Sequence, residues 1–369
     1  MPKEAAVSAR NAYFCGMTDT LTAQAVELLR QLIATPRVSR SEAAAADLLE
    51  ARLRQAGLQP NRVANNVWLT SSAWAEGRPT MLLCAHIDTV RPAAGWTRDP
   101  HSPDIEGDVL YGLGANDDGA SLVSLLQVFR TLHDSPALPY NLVFLASAEE
   151  EVSGRDGVEL ALRHLPHIDV GLVGEPTGMQ PAVAEKGLMV LDCVARGKAG
   201  HAARDEGVNA IYLALDDMAW LRTYAYQRVS PLLGAVRQTV TIVNAGTQHN
   251  VVPAECTFTV DVRSNELYTN AELLDIISHH LHSTVTPRST RLSSSAIDMS
   301  HPLVERAVEL GRTPFGSPTL SDQALMPFPT LKMGPGDSRR SHTADEYVRL
   351  SEIREAISLY HRLLAGLTL

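Results

Sequence analysis

NLVFLASAEEE, residues 141–151, is an unbroken apolar run that ends in three carboxylates. A short apolar run bounded by turn signals suits a buried strand of a mostly parallel sheet. TMLLCA (80–85) and VGLVG (170–174) repeat the pattern on either side. Between them, ASLVSLLQVFRTL (120–132) carries Leu122, Leu125, Leu126 and Phe129, the stripe of a helix that covers a sheet. Strand and helix alternate, so this half of the chain reads as α/β. The three glutamates are the anomaly. Like charges side by side repel, and a solvated turn is the plain explanation of an acidic triplet.

The length of 369 residues suggests two domains, or one with a large insertion. The texture changes near residue 184. GLMVLDCVARG, QTVTIVNAG and AECTFTVDVRS read as alternating strands, with helical segments NAIYLALDDMAWLRTY and NAELLDIISHHLHS. After STRLSSSAI the α/β texture returns. The expected organisation is a smaller α+β domain, 184–293, inserted into a larger α/β domain formed by 18–183 and 294–369. Residues 1–17 read as a loose tail, unless Met17 is the natural start. The hydrophobic content of 45% is ordinary for a protein that buries real cores. A formal charge of −10 argues against nucleic acid or an anionic membrane as partner. No apolar run approaches the roughly 20 residues that span a bilayer, and the N-terminal stretch lacks the apolar centre of a signal peptide. The four cysteines lie far apart, with no metal or redox spacing, which points to free thiols in a reduced, cytoplasmic setting.

The polar residues gather at the strand ends. TMLLCA runs into His86-Ile87-Asp88, NLVFLASA into Glu149-Glu150-Glu151, and VGLVG into Glu175. Asp117-Asp118 lies just before the helix at 120, and His342 follows a glycine-rich stretch in GPGDSRRSHTADEY. Open parallel sheets place ligand sites at the carboxyl ends of their strands, so these groups are expected to converge. Taken singly, each has a plainer reading. His86 alone suits a satisfied or surface histidine, and Asp117-Asp118 a turn with a helix cap. GLGAND lacks the third glycine of a nucleotide loop. The absence of HExxH and GxSxG removes the commonest one-zinc protease and serine hydrolase readings.

Together, AHIDTV, GLGANDD, SAEEE, VGEPT, GKAGHAARDEGVNAI, NVVPAECTFTVDVR and GPGDSRRSHTADEY resemble the family of two-zinc aminoacylases, acetylornithine deacetylases, succinyl-diaminopimelate desuccinylases and glutamate-releasing carboxypeptidases. The resemblance runs from about residue 20 to the end and looks closest to the acetylornithine deacetylases. It implies a catalytic domain with helices on both faces of its sheet and an inserted lid and dimerisation domain. It also implies two divalent metal ions, zinc first, with cobalt or manganese compatible with imidazole and carboxylate ligands. His86, Asp117 and Glu175 would hold one ion, and Asp117, Glu150 and His342 the other. Asp88 would orient His86, and Glu149 would act as general base on a water acidified by the metals. A cis peptide is implied after Asp117. Two departures stand out. The lysine that commonly follows the bridging aspartate is missing from Asp118-Gly119-Ala120. Ala148 stands where relatives often carry Asp before the glutamate pair, which leaves a second register open: Glu150 as base and Glu151 as ligand.

The resemblance also implies that His201 crosses a homodimer interface to the oxyanion, that Asn250 grips the same oxygen, and that Arg263 clamps a substrate carboxylate. Gly336 joins them as a substrate-binding position. Plainer readings are a helix cap for His201, a turn residue for Asn250 and a surface ion pair for Arg263. The expected substrate is a small N-acyl amino acid, N-acetylornithine first, in arginine biosynthesis. N-succinylornithine and N-acetylcitrulline are close neighbours. Succinyl-diaminopimelate, or a dipeptidase or carboxypeptidase activity on the same core, is the alternative. A non-catalytic metal-binding module is the competing class, and loss of the base or a ligand would mark it.

Overall fold

Thr80–His86 and Asn141–Ser147 are buried at every position in the structure, a computed structural model. Such strands need cover on both faces. They pair in parallel from Thr80 opposite Asn141 to His86 opposite Ser147, so His86 and the start of the acidic triplet emerge side by side. Val170–Val173 pairs in parallel with the other side of Thr80–His86, and Thr330–Lys332 pairs in parallel with Val170–Val173. Four parallel strands therefore release their chains at one edge of the sheet. Antiparallel strands Asn66–Thr70 and Asn61–Val63 extend it beyond Asn141–Ser147.

The two-residue period of a strand divides the core. Met81, Leu83, Leu142 and Phe144 pack into one apolar cluster with Leu125, Phe129 and Tyr360. Leu82, Cys84, Val143 and Leu145 pack into another, on the opposite face, with Val158 and Ala161. The first face is covered by helices Pro2–Ile33, Ala120–Leu132 and Leu350–Leu364, and Val158–Leu162 contributes to the second. Ala120–Leu132 departs from the single-stripe expectation. All of it except Arg130 and Thr131 is buried, because it lies between the sheet and two further helices.

The chain divides into two compact units, one of residues 1–183, 297–315 and 321–369, the other of 184–296 and 316–320. In the second, Arg237–Ala245, Glu255–Arg263, Met189–Arg196 and Thr284–Pro287 form an antiparallel sheet in that order. Its two central strands alternate buried and half-buried residues, and Met189, Leu191, Cys193, Phe258, Val260 and Val262 face a core shared with helices Ala210–Thr223 and Asn270–His280. The structure describes residues 2–204 and 206–369, with side chains from Met17 onward. The expectation of a loose tail over residues 1–17 falls almost wholly on residues whose side chains lie outside that range. Among the described residues, no helix is long and apolar enough to cross a membrane.

Candidate metal centre

His86 ends its strand and is almost wholly buried. Its Nδ1 lies 3.0 Å from the Asp88 carbonyl oxygen, and its Nε2 lies 3.1 Å from Asp117 Oδ1. The other Asp117 oxygen, Oδ2, lies 3.6 Å from His342 Nε2. One carboxylate thus stands between two imidazoles, with one oxygen toward each. His342 Nε2 is also 2.9 Å from Glu151 Oε2. Donor atoms of His86, Asp117 and Glu151 lie within 4.8 Å of one another, as do those of His86, Glu150 and Glu175. The peptide between Asp117 and Asp118 is cis.

The structure brings together five of the expected ligands, His86, Asp117, Glu150, Glu175 and His342, and adds Glu151. It does not bring Glu149 to them. Glu149 takes a left-handed backbone, φ 55°, and the turn that follows, Glu150–Val152, starts from that bend. Its carboxylate is turned aside to lie 4.0 Å from Arg40 Nε and directly over Gly154, where a Cβ would overlap it. Neither group of clustered donors contains Glu149. The placement of Glu149 beside Glu150 in the centre is therefore corrected: the pair that faces the cluster is Glu150 and Glu151.

Asp88 fixes this arrangement. Its Oδ1 is 3.5 Å from His86 Nδ1 and accepts the Glu150 N–H at 3.1 Å. Its Oδ2 accepts the Glu151 N–H at 3.2 Å and the Ser39 hydroxyl at 2.6 Å. One buried carboxylate thus orients the imidazole and anchors the glutamate turn. Glu42, also buried, accepts the Glu149 N–H at 3.2 Å. Nothing in the sequence around Ser39 and Glu42 marks them for these tasks. Glu151, in contrast, was within reach of the Ala148 departure, which shifts the pair by one.

The electrostatics are those of a cation site. Burial works against a charged His86, but hydrogen bonds to Asp117 and Asp88 outweigh it and hold the imidazole well above its usual range. Burial, joined by neighbouring carboxylates, pushes Glu150 and Glu175 well up. Burial pushes Asp118 up to about 8. Carboxylates crowded into a low-dielectric pocket resist ionisation unless cations join them. The donor set has oxygen and imidazole and no thiolate, which fits two divalent ions of the zinc, cobalt or manganese type. Asp117 would bridge them, His86 and Glu175 completing one site and Glu151 and His342 the other.

His201, Asn250 and Arg263 lie in the second unit. His201 is exposed on a short strand, and its Nδ1 accepts the Ala203 N–H at 3.1 Å. The exposed Asn250 is adjacent in the fold, its carbonyl accepting the Ala202 N–H at 2.9 Å. Arg263 is engaged by Asp261 through Nε at 2.8 Å and Nη2 at 3.1 Å, the ion pair that was its plainer reading. Gly336, in the first unit, has φ +88°, and a Cβ there would collide with Asn116 Oδ1, so the position requires glycine.

The sequence profile of peptidase family M20/M25/M40 matches residues 82–366. The chain belongs to that family. It is a hydrolase of the M20 metallopeptidase and amidohydrolase kind. It is 28% identical to an acetylornithine deacetylase of Proteus mirabilis, over 93% of this chain and 97% of that protein. It is also 28% identical to a succinyl-diaminopimelate desuccinylase of Stenotrophomonas maltophilia, over 93% of this chain and 98% of that protein. Among solved structures, the Bacillus subtilis YXEP protein, described as a dinuclear metal binding peptidase, superposes with a TM-score of 0.70 at 16% identity, covering 94% of this chain and 98% of that one. The M20 fold thus accounts for nearly the whole chain.

Proposed function

We propose that this chain hydrolyses the N-acyl amide of an amino acid, with N-acetylornithine in arginine biosynthesis as the leading substrate and N-succinylornithine or N-acetylcitrulline close behind. The observation that carries the reading is Asp117 set between His86 and His342, one oxygen toward each. That is the arrangement a bridging ligand requires, and the rest of the donor set closes around it.

When bound, a pair of zinc ions supplies Lewis acidity and makes a water easier to deprotonate. The chain's own residues do the remainder. Glu150 stands among the ligands without being needed as one, because Glu151 faces His342. It takes the proton of the attacking water and returns it to the departing amine. Burial raises its carboxyl, which favours uptake of a proton from water. Asp88 keeps His86 and the Glu150–Glu151 turn in register. His201 and Asn250 steady the developing oxyanion, Arg263 exchanges Asp261 for a substrate carboxylate, and Gly336 is a further substrate-binding position.

His201 acts across a homodimer in this reading, with the second unit as lid and dimerisation domain in a cytoplasmic enzyme. Arg237–Ala245 supports it: this nine-residue strand is at the edge of its sheet, with Ile242 and Val243 half exposed, and Tyr212 and Leu215 stand exposed on helix Ala210–Thr223. The desuccinylase relative at equal identity favours succinyl-diaminopimelate as a second reading. Amine release from acetylornithine, succinylornithine, acetylcitrulline, succinyl-diaminopimelate and a set of dipeptides, measured on protein of known metal content, tests the choice. A preference for dipeptides or succinyl-diaminopimelate by orders of magnitude overturns it.

A further inference from the structure

The loop from Gly112 to Asp118 is gripped mainly by one residue far away in sequence. Glu346 Oε1 accepts the N–H of Asn116 and of Asp117, both at 2.9 Å, and its Oε2 accepts the Gly114 N–H at 3.0 Å. Its own carbonyl accepts the Gly112 N–H at 3.0 Å. Glu346 is 2% exposed and lies four residues after His342. The segment that supplies one imidazole therefore also holds the main chain of Asp117. Asn116 ties the same two segments again, its Oδ1 accepting the Asp337 N–H at 3.0 Å and its Nδ2 donating to Ser341 Oγ at 3.2 Å.

Arg37 closes the loop from the other side. Its guanidinium is buried and donates to the Gly114 carbonyl at 2.9 Å and to the Ile87 carbonyl at 2.6 Å. Ile87 lies between His86 and Asp88. Gly114 is thus fixed through both its N–H and its C=O, in a left-handed conformation of φ +72°, and a Cβ on it would meet Arg37 Nη2 at 2.5 Å. At Gly119 a side chain would strike Leu29 and the Gly114 carbonyl. Arg37 thus places a buried cation on this loop.

We propose that Glu346, with Arg37 holding the same loop through the Gly114 carbonyl, is a positioning residue that sets the Asp117 carboxylate between His86 and His342. This rests on the two-metal reading above. Three N–H donors converge on two carboxylate oxygens, and charge strengthens each bond. An amide offers one oxygen, and its NH₂ would face a main-chain donor, so Glu346→Gln must release part of the loop. Outer residues that hold ligands are worth about 10–100-fold in metal affinity.

The test is cobalt binding to metal-free protein, followed by visible absorption, with circular dichroism as the check on folding. Wild type is expected to take up two ions. Glu346→Gln is expected to remain folded, to bind at least one ion about 10–100-fold more weakly, and to show an altered cobalt spectrum. Glu346→Asp keeps the charge with a shorter reach and loses less. It serves as the second variant should the amide fail to fold. A folded variant with wild-type cobalt affinity and spectrum, even if its melting temperature falls, marks Glu346 as merely structural and overturns the proposal. A wild-type protein that binds no cobalt pair overturns the two-metal reading instead, and the positioning role with it.

Discussion

Replacing Glu149 and Glu150 separately by Gln decides which glutamate moves protons. Gln keeps the volume and one acceptor oxygen and removes the ability to take up a proton. A positioned general base contributes about 10²–10⁴ in rate, which is about 3–5 kcal/mol of barrier at roughly 1.4 kcal/mol per decade. Glu150→Gln is therefore expected to lower kcat at least about a hundredfold, with two metal ions retained. Among the described residues, Glu149 is ion-paired with Arg40 alone, at 4.0 Å, and that arginine is 69% exposed. A solvent-screened pair of this kind is worth at most about 1 kcal/mol, so Glu149→Gln is expected to change kcat/KM less than about tenfold. Steady-state amine release at saturating and limiting substrate, with metal content and melting temperature measured on the same preparations, supplies all four numbers. A hundredfold loss in Glu149→Gln beside near-normal turnover in Glu150→Gln would refute the assignment and restore the first register.

Other outcomes follow from the same geometry. In protein stripped of metal, burial holds Asp118 up to about 8 and Glu346 up to about 7, with Glu150 and Glu175 also raised. These acids bind protons more tightly when folded than when unfolded, so stability falls as pH climbs from about 4 to about 8. The raised His86 acts in the same direction. Melting temperatures in chelator are expected to decline from pH 5 to 8, and added divalent metal to flatten the decline. A flat or rising metal-free profile contradicts the buried cluster. His201→Ala is expected to reduce turnover at least about a hundredfold while leaving metal content and melting temperature unchanged. Full turnover in that variant, or in an enforced wild-type monomer, removes the cross-subunit role.

The strands were legible because burial on both faces writes itself as unbroken apolar runs. Thr80–His86 and Val170–Val173 emerge within a residue of TMLLCA and VGLVG. The convergence of His86, Asp117, Glu175 and His342 followed from the strand ends and the resemblance together. The register of the acidic triplet did not. Three identical side chains carry no phase information, and a left-handed turn at a glutamate is an uncommon event that composition does not announce. Glu346 and Arg37 were invisible for another reason. Their partners are main-chain N–H and C=O groups, which every residue possesses, so no pairing of side-chain types in the sequence points to them.

The brace on Asp117 comes from 229 positions further along the polypeptide. During synthesis Asp117, Glu150 and Glu175 are all made long before His342 and Glu346, so the early carboxylates wait without the residues that complete and steady the centre. The two-metal reading thus requires the finished chain. A chain ending before His342 would lack one imidazole of the centre and the carboxylate that braces Asp117.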